Sequence, residues 1–259
     1  MKDIQNEKDK RGITIQHVGV QGVVVPIEVK DKEHGVQSTI ATFDIGVELP
    51  ADQRGTHMSR FIEYVQNLAE PLSFKMLTMT ILPEIKKELN AKSGMITVNF
   101  PYFVSVISPV SKLKSKLELD VTFSVKDDDA WMMVTTPVTT LCPCSKEISK
   151  YGAHNQRGHI SISIKADGWV WIEELMNIAN ASASAPVYPL LKRPDEKFVT
   201  EQAYDNPRFV EDVVREVKGR LDRHPQVSKY KVHVVNYESI HNHNAYAFIE
   251  GGKENAKEE

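Results

Sequence analysis

Period-two hydrophobicity, interrupted by two helical stretches and then repeated in the same order, predicts an α+β protein. It has two tandem modules, each strand–strand–helix–helix–strand–strand around an antiparallel sheet. Three observations carry this. From Ser38 to Leu49 the apolar residues Ala41, Phe43, Ile45, Val47 and Leu49 alternate with a second set, the mark of a strand with one buried face. Met58, Phe61, Ile62, Val65 and Leu68 then share one face of a helix. The same succession returns after the Asp127-Asp128-Asp129 turn without visible residue identity between the halves, so the repeat is one of layout.

The elements follow in order. Ile13 to Lys30 reads as a strand whose alternation slips near Gly19 and Gly22, where bulges are expected. A second helical face is formed by Phe74, Leu77, Ile81, Ile85 and Leu89, with Pro83 inside it as an expected kink or break. Ile96, Val98, Phe100, Tyr102, Val104 and Val106 mark one strand. Leu117, Leu119, Val121, Phe123 and Val125 mark the next. In the second half, Trp131 to Leu141 and His159 to Lys165 read as strands, and Ile172, Leu175, Met176 and Ala179 as a helix. Ser182 to Asp205 has no clear periodicity and is expected to be a long, functional loop. Asn206 and Pro207 are placed as the cap and first residue of a helix carrying Phe209, Val213, Val217 and Leu221. Tyr230 to Tyr237 and Asn244 to Glu250 close the chain as strands. The expected domains are a first module over 12–128 and a second over 129–250, between charged mobile tails at 1–11 and 251–259. Each four-stranded sheet leaves two edges, which pairing with the other module and with other subunits would close into barrels.

Composition narrows the function. At 259 residues, 41% of them hydrophobic, the chain has ample core material. A net charge of −3 argues against a dedicated nucleic-acid binder. No apolar run approaches the roughly 20 residues of a membrane span, and the N-terminus does not read as a signal peptide, so a cytoplasmic location is expected. The two cysteines are one residue apart and cannot staple distant parts of the fold, which points to metal or redox chemistry.

Those cysteines, Cys142 and Cys144, lie in a Cys-Pro-Cys-Ser-Lys turn after a strand, with His154 twelve positions beyond the first. A thiolate and an imidazole in one short segment suit a transition metal or an activated nucleophile. The plainer reading is a small buried cysteine and a turn histidine, and spacing alone leaves both open. His241 and His243, two apart in Glu-Ser-Ile-His-Asn-His-Asn, point to one side of an extended segment. That arrangement suits metal binding or paired acid–base work, and equally a solvated turn. Glu196 lies in the aperiodic segment. Glu211, early in a helix, is by default a solvent-facing carboxylate near the positive end of the helix dipole. At a subunit seam it could instead accept paired hydrogen bonds from a guanine edge.

The segment Pro137 to Arg157, together with Arg54-Gly55-Thr56-His57-Met58-Ser59-Arg60, closely resembles the type IB GTP cyclohydrolases, and the resemblance extends over most of the chain. It implies two tandem tunnelling-fold modules, assembled as a homotetramer with active sites between subunits. It also implies conversion of GTP and water to formate and 7,8-dihydroneopterin 3'-triphosphate, the first step towards tetrahydrofolate, by metal-activated water attack at guanine C8. Carried over by position, Cys142 resembles the essential metal-ligand cysteine, with His154 and Glu196 as co-ligands of Zn²⁺ or Mn²⁺ and Glu201 as the alternative carboxylate. Glu211 resembles the purine anchor, and His241 and His243 the acid–base histidines beside the metal. Cys144 matches a family cysteine in a catalytic or supporting role. The triphosphate needs cations, for which Lys146, Arg157, Arg193 and Arg208 are candidates. Two rival readings remain: a tunnelling-fold nitrile reductase, superficially suggested by Lys-Glu-Ile-Ser-Lys at 146–150, and a non-catalytic purine- or pterin-binding protein with structural zinc.

Overall fold

The computed structural model describes residues 5, 7–68 and 70–253. Its centre is a nine-stranded antiparallel sheet. The strands are β1 (Ile15–Asp31), β2 (Gly35–Leu49), β3 (Gly94–Ile107), β4 (Lys114–Lys126), β5 (Asp129–Leu141), β6 (Asn155–Ala166), β7 (Ala185–Pro186), β8 (Val227–Asn236) and β9 (Ala245–Gly252). Hydrogen-bonded neighbours run β1-β2-β3-β4-β5-β6-β8-β9, and the short β7 pairs with β5. The helices are α1 (Met58–Gln66), α2 (Phe74–Met76), α3 (Leu82–Glu88), α4 (Pro143–Ile148), α5 (Ile172–Ser182), α6 (Arg193–Asp205) and α7 (Val210–Asp222).

The chain divides into two compact units. One comprises residues through Pro101 with Thr122–Met132, the other Tyr102–Val121 with Met133 onward. The division differs from a single cut at residue 128. β3 and β4 are 14 and 13 residues long, and the far parts of this hairpin carry Tyr102, Val104, Leu117 and Leu119 into the second core. There the Tyr102 hydroxyl donates to Glu173 Oε1 at 2.8 Å.

In the first unit the apolar face of β2 (Ala41, Phe43, Ile45, Val47) is buried, as are Ile96 and Val98 of β3 and Phe61 and Val65 of α1. Phe123 packs against Phe100 and Phe74 with ring centroids 5.2 and 5.5 Å apart. The expected bulges in β1 are present as register shifts between Ile15 and Val18 and between Val20 and Val23. Gly22 takes φ +72, a conformation open to glycine, and its N–H reaches Asp44 Oδ1 at 2.8 Å. Pro83 does not end its helix. A π-helical turn, Leu77–Ile81, precedes it, with the Leu82 N–H bonded five residues back to Leu77 O, and the helix resumes as α3. Asp127 sits at φ +50 in the β4–β5 turn, tied to Lys86 Nζ at 2.7 Å, Ser93 Oγ at 2.6 Å and Gly94 N at 3.0 Å. Burial would raise its pKa, but these bonds outweigh that and hold it down at about 2.

In the second unit Ile160, Ile162 and Ile164 of β6 and Val232 and Val234 of β8 are fully buried, as are Leu175 and Ala179 of α5 and Val213 and Val217 of α7. Two expectations are corrected here. The aperiodic stretch from Ser182 to Asp205 is not one long loop: it contains β7 and the 13-residue α6. Only Asp195 and Ala203 of α6 are buried, so it shows no apolar stripe. Asn206 does not cap the following helix. It closes α6, its Nδ2 donating to Ala183 O at 2.9 Å, while α7 begins after Phe209, whose N–H is held by Asp212 Oδ2 at 3.0 Å.

The expected tails are also partly structured. Gly55 N donates to Gln5 O, Arg54 N to Glu7 O and Asp9 N to Asp52 O at 2.9–3.2 Å, and Gly251 and Gly252 end β9. Backbone pairing needs no apolar side chains, so composition does not reveal it. Residues 1–4, 6 and 254–259 of those predicted tails lie outside the described residues.

Asp195, 0% exposed, ties α6 to the β3–β4 turn, accepting from Val110 N at 2.7 Å, Ser111 N at 2.8 Å and Lys192 N at 2.9 Å. Burial would raise its pKa, but these bonds outweigh that and hold the carboxyl well below the ordinary carboxylate range. A depressed folded-state pKa stabilises the fold fully above the unfolded value of about 4 and progressively less as the pH falls below it. Asp195→Asn is therefore expected to lower the thermal midpoint by several degrees at neutral pH, with a gap from wild type that narrows in acid. Unfolding curves at a series of pH values check this; a gap independent of pH would contradict it.

Candidate active site

One cleft in the second unit, about 300 Å³ in volume, gathers residues from four separate stretches of chain. Its lining includes Cys142 and His154, Gln156 of β6, Arg208 and Glu211 around the start of α7, and Asn236, Glu238, His241 and His243 at and beyond the end of β8.

Local hydrogen bonds explain how Cys142 and His154 meet across twelve residues. Cys142 follows β5 and caps α4, with Pro143 as the first helical residue. Its N–H donates to His154 O at 3.1 Å. Ser145 Oγ donates to Cys142 O at 3.1 Å and accepts from His154 N at 3.2 Å, so one hydroxyl clamps both backbones. The Ser145 N–H points at Cys142 Sγ, 3.5 Å away. The connecting loop turns at Gly152, whose φ of +123 suits a residue without a side chain. The His154 ring is fixed through Nδ1, 3.1 Å from Gln156 Oε1 and 3.4 Å from Ser239 Oγ.

His241 and His243 lie between β8 and β9 in a bent, exposed segment rather than an extended one. Their rings stack with centroids 5.1 Å apart and planes 18° from parallel, both on the cleft. Glu211 occupies the first turn of α7. Arg208 is held by Leu141 O through its N–H at 3.0 Å, by Asn206 Oδ1 at 3.1 Å and by Glu216 Oε1 at 3.6 Å.

Other sequence candidates lie outside this cleft. Cys144 is exposed on α4. Lys146 bonds Tyr204 O and lies 4.3 Å from the Tyr204 ring centroid. Arg157 and Arg193 are exposed and do not line it. Glu196 and Glu201 stand on exposed faces of α6, where Glu201 pairs with Lys197 at 2.6 Å. The cleft's own carboxylates are Glu211 and Glu238.

Glu238, Gln156 and Asn236 were not anticipated. The last two carried a signal: each occupies an inward position in an otherwise apolar alternation, and they are 7% and 3% exposed. Asn236 Oδ1 has no hydrogen-bond partner among the described residues.

The thiol of Cys142 and the imidazole of His154 suit a divalent transition metal in donor type. Among the described residues, however, no three His, Cys, Asp or Glu side chains are grouped closely enough to hold an ion by themselves. A resident ion thus fits this donor pair only with a further ligand.

Comparison with known proteins identifies the family. Residues 1–247 match the model of the family described as type I GTP cyclohydrolase folE2. The chain is 50% identical over 256 residues to GTP cyclohydrolase FolE2 of Caldicellulosiruptor bescii, covering 97% of this chain and 98% of that protein. It is 47% identical over 258 residues to its namesake in Methylococcus capsulatus, covering 98% and 96%. Among solved structures, a uricase from Bacillus fastidious superimposes with a TM-score of 0.57 at 8% identity, covering 92% of this chain and 94% of that one. The urate oxidase of Bacillus subtilis does so at 0.51 and 8%, covering 92% and 99%. At such identities these likenesses concern the fold alone. A family match along nearly the whole chain, with relatives near 50% identity, leaves no ambiguity of membership: the chain belongs to the type I GTP cyclohydrolase FolE2 family.

Proposed function

We propose that this protein is a GTP cyclohydrolase, a hydrolase acting on a cyclic amidine, which converts GTP and water to formate and 7,8-dihydroneopterin 3'-triphosphate on the way to tetrahydrofolate. The observation that carries the reading is the meeting of Cys142, His154, Glu211, His241 and His243, from separate segments, around one cleft.

In this reading each residue has a task that its chemistry suits. The Glu211 carboxylate accepts from guanine N1–H and the exocyclic amine, two parallel charge-assisted bonds that orient the purine. Arg208 meets the triphosphate. Cys142 and His154 would hold a divalent ion, Zn²⁺ or Mn²⁺, which would supply Lewis acidity and lower the pKa of water from about 15.7 toward about 7. Water adds at C8, the electron-poor carbon between two ring nitrogens. His241 and His243 carry protons: one imidazole delivers a proton to the departing ring nitrogen, and its neighbour accepts one from the incoming water, steps worth roughly 10²–10⁴-fold each. A second hydrolysis frees formate. Ribose rearrangement and ring closure with loss of water then balance the sum at one water per GTP.

Glu196, on an exposed face of α6, would complete the ligand set from a second copy. Support for a shared site lies in the incomplete donor set among the described residues of one chain and in the terminal strands of the sheet. β9 exposes Tyr246 and Phe248, and β1 exposes Ile15 and Val24. We assign these edges to pairing between tunnelling-fold subunits in a homotetramer.

The test is incubation of chelator-treated protein with GTP, with and without Mn²⁺ or Zn²⁺. Metal-dependent formate, together with a product that fluoresces as neopterin after oxidation, is expected. A folded protein that releases no formate with either ion would refute the reading.

A further inference from the structure

We infer that Gln156 and Thr140 are positioning residues that lock His154 in its Nδ1–H tautomer, leaving Nε2 as the bare nitrogen it offers to a ligand. The inference rests on the reading of His154 as an ion-holding residue.

Thr140, on β5, is 0% exposed, and Gln156, on β6, is 7% exposed at a position where alternation calls for an apolar side chain. Burying an amide there is costly unless both of its ends are bonded. Both are: Gln156 Nε2 donates to Thr140 Oγ1 at 2.9 Å, and Oε1 lies 3.1 Å from His154 Nδ1.

In this structure the amide turns Nε2 to Thr140 and Oε1 to His154, and that orientation decides the second bond. An amide oxygen only accepts, so its contact with Nδ1 requires the proton to be on Nδ1. A neutral imidazole protonated at Nδ1 is bare at Nε2, the state a metal requires. Ser239 Oγ, 3.4 Å from the same nitrogen, is compatible with that tautomer. The bonds of Ser145 and Cys142 to the His154 backbone fix the point from which the ring projects. Thr140 thereby bears on His154 through the Gln156 side chain.

The decisive measurement is ¹⁵N NMR of the histidine side chains in metal-free protein, at a pH where the imidazoles are neutral. His154 is assigned by the signal lost in His154→Gln. Wild type is expected to show His154 as Nδ1–H. Gln156→Leu is expected to release it toward Nε2–H, and Gln156→Glu, which keeps an acceptor at the same place, to retain Nδ1–H. Zn²⁺ affinity, measured by competition with a chromogenic chelator, should fall about 10–100-fold in Gln156→Leu, as for loss of an outer-shell partner, and much less in Gln156→Glu.

An Nε2–H tautomer in wild type would mean that the amide faces the other way and would overturn the inference without needing any variant to fold. A Gln156→Leu protein that keeps Nδ1–H would overturn it too. Zn²⁺ affinity unchanged by His154→Gln would instead overturn the ion-holding reading, and with it the role of the tautomer, whatever the tautomer spectrum shows.

Discussion

Cys142→Ala is expected to lower GTP turnover by more than about 100-fold, beyond the range for losing an outer-shell partner of a metal, because a direct donor is removed. The fold should survive. The shorter bonds that fix position 142 are made by its backbone, its N–H to His154 O and its carbonyl oxygen from Ser145 Oγ, and the thiol adds only the 3.5 Å contact from Ser145 N–H. The side chain is only partly buried, so truncation leaves no large core cavity. Circular dichroism and thermal unfolding should therefore resemble wild type while formate release collapses. Turnover within a few-fold of wild type would remove Cys142 from the chemistry and favour a structural role for the thiol. The same substitution separates an enzyme from a mere binder, since a purine-binding protein would lose no turnover.

Glu211→Gln is expected to reduce kcat/KM for GTP by roughly 10- to 150-fold. That corresponds to loss of one hydrogen bond to a charged group, about 1.5–3 kcal/mol. A carboxylate can accept from both guanine donors, whereas an amide offers one acceptor and turns a donor toward a donor. The effect should be specific. Inosine triphosphate lacks the exocyclic amine, so wild type should strongly prefer GTP and the variant should lose most of that preference. Glu211 is exposed in the first turn of α7 and lies outside the buried face of Val210, Val213 and Val214. Stability should accordingly change little. A uniform loss for both nucleotides would contradict the anchoring role.

Most strands were legible because each shows one buried face. Ala41 to Leu49, Leu117 to Val125 and Ile160 to Ile164 alternate in the sequence as they do in burial. The π-helical turn before Pro83 was not, since proline announces a lost donor but not how the preceding helix absorbs it. α6 was missed because it buries only Asp195 and Ala203, and Asp195 is fixed by backbone donors from the distant β3–β4 turn.

The proposed site divides in the same way. Cys142 and His154 are close in sequence and stand in a distinctive string, and Glu211, His241 and His243 could be assigned by position. Glu196 could be named but not placed: one chain shows it on an exposed helix face, away from the cleft. Gln156 and Asn236 were visible only as polar interruptions of an apolar pattern. Their partners are set by strand register, as in the pairing of Gly158 with Asn236, which sequence alone does not supply.

In the proposed reaction this cleft opens the guanine ring at C8. The most direct measurement follows GTP carrying ¹³C at C8 through the metal-supplemented reaction by NMR. The label is expected to leave as formate, one equivalent for each dihydroneopterin triphosphate formed. Label retained in a purine or pterin product, or GTP left intact by folded, metal-loaded protein, would contradict it.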